Sequence, residues 1–294
     1  MFHVEQHKTM QNKKQYLRVK DYAVSGETFE LLYNHKFNML ETFPVPNADS
    51  LGRYYKSESY ISHSNTKRNT FEKAYHFVRS IMVKRKLRLL QKHHPKQGNL
   101  LDIGCGTGTF LEAALKANYT ITGIEPNEKA RAIANKKCNN QVYDQEKINQ
   151  LPQHSFDVVT MWHVLEHIPN PEKHLETVKK LLKPQGVLFV AVPNFKSYDA
   201  TFYKQFWAAY DVPRHLWHFS QMAIHKLAEK TNMKVVATQP MLFDSFYVSL
   251  LSEKYKNGKM NIFRAFYIGL LSNTKAMQTK EYSSLIYVIK KNNT

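Results

Sequence analysis

Cysteine is almost missing: Cys105 and Cys138 are the only two in 294 residues. That excludes a disulfide framework and a four-cysteine zinc site, each of which needs more thiols at regular spacing. Glycine is scarce as well, at 10 in the chain. Three of them at alternate positions in Gly104-Cys105-Gly106-Thr107-Gly108 therefore mark a local requirement. No run of about 18 uncharged apolar residues occurs, and residues 1–20 are polar and lysine-rich without an apolar stretch, so neither a membrane span nor a secretory leader is expected. The expectation is a soluble, cytoplasmic protein.

Acidic residues are in short supply too, 24 against 42 lysines and arginines, for a net charge of +18. The deficit is uneven. Residues 98–193 carry 10 acidic and 10 basic side chains, residues 1–97 carry 8 and 18, and residues 194–294 carry 6 and 14. The flanks should choose the partner: nucleic acid, anionic lipid or an acidic small substrate on one reading, solvent around lysine-covered helix faces on the other.

What the chain does have is a strand running into the glycine loop. Leu100 to Ile103 reads as a buried strand and Thr109 to Lys116 as a helix, so the glycines lie where a strand, a tight turn and a helix N-terminus offer free backbone N–H groups. Glycine there permits close approach and positive φ. A second apolar run, Tyr119 to Ile124, ends in Glu125, whose carboxylate is placed to accept from two ribose hydroxyls. The loop is read as the holder of a nucleoside cofactor. Its G-x-G-x-G spacing is not the G-x-G-x-x-G of NAD sites, and Asp102 would set a charge beside a pyrophosphate. A sulfonium cofactor with an amino-acid tail, cationic and free of phosphate, suits an acidic rim.

Strand and helix alternate from here. A helix from Asn69 with Phe71, Tyr75, Val78, Ile81 and Met82 on one face should lead into the first strand. Asn127 opens a helix to Lys137, Gln141 to Tyr143 and Phe156 to Met161 are strands, Pro171 to Leu182 is helical, Pro184-Gln185-Gly186 breaks it, and Val187 to Val192 is a strand. Lys234 to Thr238 and Ser284 to Ile289 add two more. The pattern predicts an α/β, doubly wound, mainly parallel sheet covered on both faces. The domains expected are an N-terminal cap, 1–68, and a domain over 69–294, with its cofactor core at 98–193 and insertions at 195–219 and 240–282.

These residues, with Phe156-Asp157-Val158-Val159 and Leu165-Glu166-His167, resemble the class I S-adenosylmethionine-dependent methyltransferase family, most closely over residues 98–193. The resemblance implies a seven-stranded Rossmann-like sheet of order 3-2-1-4-5-7-6 and S-adenosylmethionine as cofactor. It implies that Asp102, Gly104, Cys105, Gly106 and Gly108 line the methionine moiety. Glu125 with Pro126 would hold the ribose, Asp144 and Gln145 would lie near the adenine, and Trp162 and His163 would close the site. Quinone-type and small-molecule methyltransferases are the nearest in kind, some with a zinc ribbon ahead of the domain. Val24-Ser25-Gly26-Glu27-Thr28-Phe29-Glu30 is similar to the ribbon-bearing ones, but Asn34 and Phe37 stand where thiols would, so no metal is expected and the N-terminal part is read as a lid or cap.

His163-Val164-Leu165-Glu166-His167 fits H-x-x-E-H, a zinc peptidase pattern, without the long amphipathic helix which that chemistry needs. Residues 195–219 follow the fifth strand, where doubly wound sheets build their sites. Its aromatics read either as walls for a flat acceptor or as a satellite core. In Asp211-Val212-Pro213-Arg214-His215-Leu216-Trp217-His218, Tyr210, Arg214 and His218 are candidate substrate contacts, and His215, His163 and Asp211 are candidate bases, with Ser220 the N-cap of the next helix. Phe243 to Leu271 alternates aromatics with Lys254, Lys256, Lys259 and Arg264, suiting a core-packed or dimer-forming face, or a membrane surface.

The function expected is methyl transfer to a small-molecule acceptor at oxygen. The alternatives are an RNA methyltransferase docking through the basic flanks and a non-catalytic scaffold. No Asn/Asp-Pro-Pro-Tyr/Phe tetrad follows the fourth strand, which ends Met161-Trp162-His163-Val164.

Overall fold

A computed structural model describes residues 14–47, 50, 52–55 and 70–292. In chain order the strands are β1 (Lys14–Lys20), β2 (Thr28–Asn34), β3 (Met39–Phe43), β4 (Asn99–Ile103), β5 (Thr120–Ile124), β6 (Val142–Tyr143), β7 (Phe156–Trp162), β8 (Leu182–Pro193), β9 (Trp217–His218), β10 (Met233–Pro240) and β11 (Ser284–Lys291). The helices are α1 (Thr70–His93), α2 (Thr109–Lys116), α3 (Glu128–Asn135), α4 (Pro171–Leu181), α5 (Tyr198–Tyr203), α6 (Gln221–Lys230), α7 (Asp244–Asn257) and α8 (Ile262–Thr279). The described residues group into two compact units, one drawn from residues 14–55, 193–227 and 240–285, the other from 70–192, 228–239 and 286–292.

The second unit carries the seven-stranded sheet, ordered β10-β11-β8-β7-β4-β5-β6. With β4 counted as the first strand this is 3-2-1-4-5-7-6, as expected, and the pairings from β6 through β5, β4 and β7 to β8 are all parallel. Leu100, Leu101, Val158, Val159 and Val187 to Ala191 are fully buried, which is why these strands read as unbroken apolar runs. Helix starts follow local chemistry: the side chain of Asn127 accepts from the Ala130 N–H of α3, and that of Asn170 accepts from Lys173 with Pro171 in the first turn of α4. α1 lies where a helix was expected; the proposed start at Asn69 falls outside the described residues.

One expectation needs correcting. Pro184-Gln185-Gly186 does not separate α4 from a strand at Val187; β8 begins at Leu182, opposite Phe156, and the four residues Lys183 to Gly186 bulge before pairing resumes at Val187 opposite Val158. Gly186 makes this possible, since a Cβ there would lie 2.9 Å from the Phe156 carbonyl oxygen. Asp157, in the apolar run of β7, works at this end of the sheet. It accepts from Asn99 N–H at 2.8 Å and Lys183 Nζ at 2.7 Å. Burial opposes ionisation there, but these contacts hold its carboxyl below the usual range.

The first unit is built on a four-stranded sheet, β1-β2-β3-β9. At the β1–β2 turn the Asp21 carboxylate accepts from the N–H groups of Ala23, Val24 and Ser25, so the ribbon-like phrase around Val24 is an Asx-type turn. Between β2 and β3, Asn34 Oδ1 accepts from Phe37 N–H at 3.1 Å: the two positions where a ribbon would hold thiols close the hairpin by hydrogen bonding. Phe195, Tyr203, Trp207 and Tyr210 are buried with Phe29, Leu31, Leu40 and Tyr54, so the aromatics after β8 form this unit's core.

Candidate active site

The glycine loop follows from β4. Gly104 and Cys105 donate to the carbonyl of Ile124 at 2.7 and 3.1 Å, tying the loop to the end of the neighbouring strand. Gly104 and Gly108 are required twice over. Their φ values are +70° and +74°, and a Cβ would lie 2.5 Å from Val164 Cγ2 at Gly104 and 2.9 Å from Ala134 Cβ at Gly108. Gly106, at φ +55°, faces open space. Its N–H donates to Glu125 Oε2 at 2.8 Å, while Glu125 Oε1 accepts from Asn127 N–H at 2.8 Å. The carboxylate expected to hold ribose thus also shapes the loop, and each oxygen keeps a further lone pair. Burial pushes the Glu125 carboxyl up against the opposing effect of those N–H groups. Cys105 turns its sulfur toward Gly123, where an added Cβ would come within 3.0 Å, so it offers the site backbone only. Burial raises its thiol far above the ordinary value.

Asp102, buried on β4, pairs in register with Thr160 of β7, whose hydroxyl donates to Asp102 Oδ1 at 2.6 Å. Burial is the main cause that pushes this carboxyl up to about 7, with the Glu125 charge adding and Thr160 and Lys86 opposing. At the end of β7, Trp162 packs edge-on against Phe110, and its indole N–H meets no acceptor among the described residues. His163 follows at φ +58°, a left-handed conformation that carries a steric cost for a non-glycine residue. Its Nδ1 lies 3.4 Å from Oε1 of buried Glu166. Glu166 and His167 sit in a short 3-10 turn, Leu165–His167. Pro126 is exposed and its carbonyl accepts from Arg131. Asp144 and Gln145 are exposed after β6, where Asp144 caps the next turn by accepting from Glu146 and Lys147 N–H.

Two basic residues of α1 reach this region and were not singled out in the sequence. Arg79 donates to Thr109 Oγ1 and, at 3.4 Å, to Thr107 Oγ1 of the loop. Lys86 places its ammonium 4.2 Å from the centre of the Trp162 ring. Seven residues apart, they share one helix face. The available signal was that spacing, hidden because Lys84-Arg85-Lys86 reads as a solvated charge run.

A family model described as a methyltransferase domain matches residues 74–238, more than half of the chain. The chain belongs to this methyltransferase-domain family. Similar curated proteins include a ubiquinone biosynthesis O-methyltransferase of Actinobacillus pleuropneumoniae, 42% identical over 106 residues, covering 32% of this chain and 45% of that protein. Another of the same description, from Coxiella burnetii, is 32% identical over 130 residues, covering 41% and 53%. The chain spans about half the length of the curated relatives it matches. Among solved structures, a magnesium protoporphyrin IX methyltransferase of Synechocystis with bound SAH has a TM-score of 0.55 at 15% identity, over 83% of this chain and all of that one. That likeness is one of fold.

The methyltransferase-family chain places the remaining candidates in its first unit. Asp211 and Arg214 are paired with each other: Arg214 Nε donates to Asp211 Oδ2 at 2.9 Å, Nη2 donates to Oδ1, and Nη1 donates to the Tyr54 carbonyl at 3.1 Å. A carboxylate held by a guanidinium fork is a weak base. Burial disfavours the charge on Arg214, but Asp211 raises its pKa further still. Thr42 decides the state of His218. Its hydroxyl gives its one proton to the His215 carbonyl at 2.6 Å, so at 3.0 Å it accepts from His218 Nε2–H. Burial and the neighbouring His215 hold His218 well below its ordinary pKa, leaving it a neutral donor within the β3–β9 edge. His215 Nδ1 donates to the Ala209 carbonyl at 2.9 Å, and its Nε2 lies 3.8 Å from Asp211 Oδ2. Tyr210 is buried, edge-on to Trp207 and His218, and its hydroxyl is pushed well up by burial. Ser220 caps α6 as expected, its Oγ accepting from Ala223 N–H.

Proposed function

We propose that this chain transfers the methyl group of S-adenosylmethionine to an oxygen of a small-molecule acceptor. The observation that carries the reading is the loop of positive-φ glycines between two buried carboxylates, Asp102 and Glu125, with an open side at Gly106 and an indole N–H in need of an acceptor at Trp162. Residues of this kind fit a cationic cofactor with an amino-acid tail. Asp102 and the loop would hold the methionine end, Glu125 with Pro126 the ribose, and Asp144 and Gln145 the adenine. The names of the curated relatives support oxygen as the acceptor atom.

Held there, the cofactor would supply an electrophilic methyl group for transfer to the acceptor oxygen. The acceptor's proton must leave. His215 is proposed for that role, because the bond from its Nδ1 to the Ala209 carbonyl fixes the orientation of the ring. His163 is the alternative base; Asp211, locked to Arg214, and His218, a committed donor, are set aside for it.

Calorimetric titration with S-adenosylmethionine and S-adenosylhomocysteine, with NAD as control, tests the cofactor. The expected result is micromolar binding of the first two and none of NAD; a folded protein that binds neither sulfur compound overturns the reading. With an accepted acceptor in hand, His215→Ala should lower kcat by about 100-fold or more, with cofactor affinity unchanged.

A further inference from the structure

The insertion between β10 and β11 folds as a helical hairpin. Gly258, at φ +74°, ends α7, and Asn261 caps α8 by accepting from Arg264 N–H. A surface helix ordinarily turns its large apolar residues inward. α8 does the opposite. Its buried positions are Ala265, Ile268, Gly269, Ser272 and Ala276, four of them small. The small residues allow close packing on α7, where a Cβ at Gly269 would lie 3.0 Å from Phe246 Cα.

The large apolar residues face solvent. Phe263 is 90% exposed, and Ile262, Phe266, Tyr267 and Met277 are each 60–65% exposed, with Leu270 at 49%. At 100° per residue these six fall within an arc of about 140°. Isolated exposed apolar residues are ordinary, but a stripe over about the first two turns of the helix, Ile262 to Leu270, with Met277 about two turns further along the same arc, marks a surface that is covered in use. Its surroundings are cationic: between residues 254 and 280 there are six lysines and arginines and no acidic residue. Arg264 is neutralised by Glu253 at 3.3 Å. Lys259 and Lys280 flank α8 in the chain and are exposed, as are Lys254 and Lys256 in the last turn of α7.

We propose that the outer face of α8 docks on the surface of a lipid bilayer containing anionic lipids, with Phe263 and Phe266 inserted at the headgroup boundary and the lysines on lipid charges. The charge pattern selects this occupant. A two-fold pairing of the face with a second copy would set the cationic rim against itself, whereas an anionic headgroup layer complements both the apolar stripe and its rim. No described helix is long and apolar enough to cross a membrane, so the contact proposed is interfacial. It does not depend on which reaction the protein catalyses.

Vesicle flotation of the full chain tests it, using phosphatidylcholine alone and phosphatidylcholine mixed with phosphatidylglycerol. The protein should float with the mixed vesicles and stay behind with the neutral ones, less completely as salt rises. Ile262→Glu with Phe263→Glu should lose binding by tenfold or more while keeping the wild-type melting curve, both side chains being exposed. A Phe263→Trp variant should be quenched by brominated lipid in the mixed vesicles. The proposal is overturned if wild type ignores anionic vesicles or if the double variant still floats. It is equally overturned if light scattering finds a dimer that the double variant splits, since the face is then spent on a second copy.

Discussion

Asp102 is the residue at which fold and chemistry oppose each other most directly. Its carboxyl has an ordinary value of 3.8 and is raised to about 7 by burial. Between those values the folded, ligand-free protein binds a proton that the unfolded chain has released, so its stability falls as pH rises through this window, and the loss is complete above about pH 7. Asp102→Asn stays neutral throughout and still accepts from Thr160. The melting temperature of the variant minus that of wild type should therefore increase from about pH 5 to about pH 8; a difference that does not change with pH would show that the carboxyl is not raised. A cationic ligand prefers the carboxylate, so affinity for S-adenosylmethionine in wild type should rise with pH through about 7, and the variant should bind weakly at every pH. The glycines beside it separate stability from binding. Gly108→Ala adds left-handed strain and a clash with Ala134, together about 2–4 kcal/mol of destabilisation. Gly106→Ala adds the strain alone, about 1–2 kcal/mol, and projects its methyl into the open side of the loop. Thermal melts should rank Gly108→Ala as the less stable, while titration should show Gly106→Ala losing cofactor affinity out of proportion to its stability.

At the scale of elements, the sheet of the second unit was legible because buried parallel strands read as continuous apolar runs and glycine or proline punctuates them. The three N-terminal strands were not, because their half-exposed faces blur the alternation and one partner, β9, comes from about 175 residues later in the chain, beyond the reach of any local pattern. The same limit hid the roles of single residues. Nothing local distinguishes Thr42 as the group that fixes the tautomer of His218, or Asn34 as a turn closer. Asp199 is the clearest case. Fully buried at the start of α5, it accepts from Trp207 Nε1, Ser272 Oγ of α8 and Ser283 Oγ, each at 2.7 Å. One carboxylate thus joins α5, the aromatic segment, the inserted hairpin and the approach to β11. Asp199→Asn keeps the shape but turns an amide N–H₂ toward groups that donate, and should cost about 2–3 kcal/mol in urea unfolding. Ser272→Ala with Ser283→Ala should remove most of that difference in a double-mutant cycle; additive losses would mean that Asp199 acts through other contacts.

At the scale of the whole molecule, the charge is divided by role. The segment holding the cofactor candidates is balanced, 10 acidic against 10 basic, and the excess of +18 lies in the sequence on either side of it. On the proposed reading, cofactor binding rests on the buried carboxylates Asp102 and Glu125 and should be nearly independent of ionic strength, because buried contacts are poorly screened. Any association with a polyanion through the flanks should weaken steeply, since neutralising phosphates releases counterions. Raising salt from about 50 mM to about 200 mM should therefore change the Kd for S-adenosylmethionine by less than about twofold while lowering affinity for a structureless RNA by about tenfold or more. If S-adenosylmethionine raises RNA affinity at the higher salt, the acceptor itself is nucleic acid and the basic flanks belong to the reaction. If the two bind without influence on each other, thermodynamic linkage separates them, and the positive charge serves attachment while methyl transfer proceeds on a small molecule.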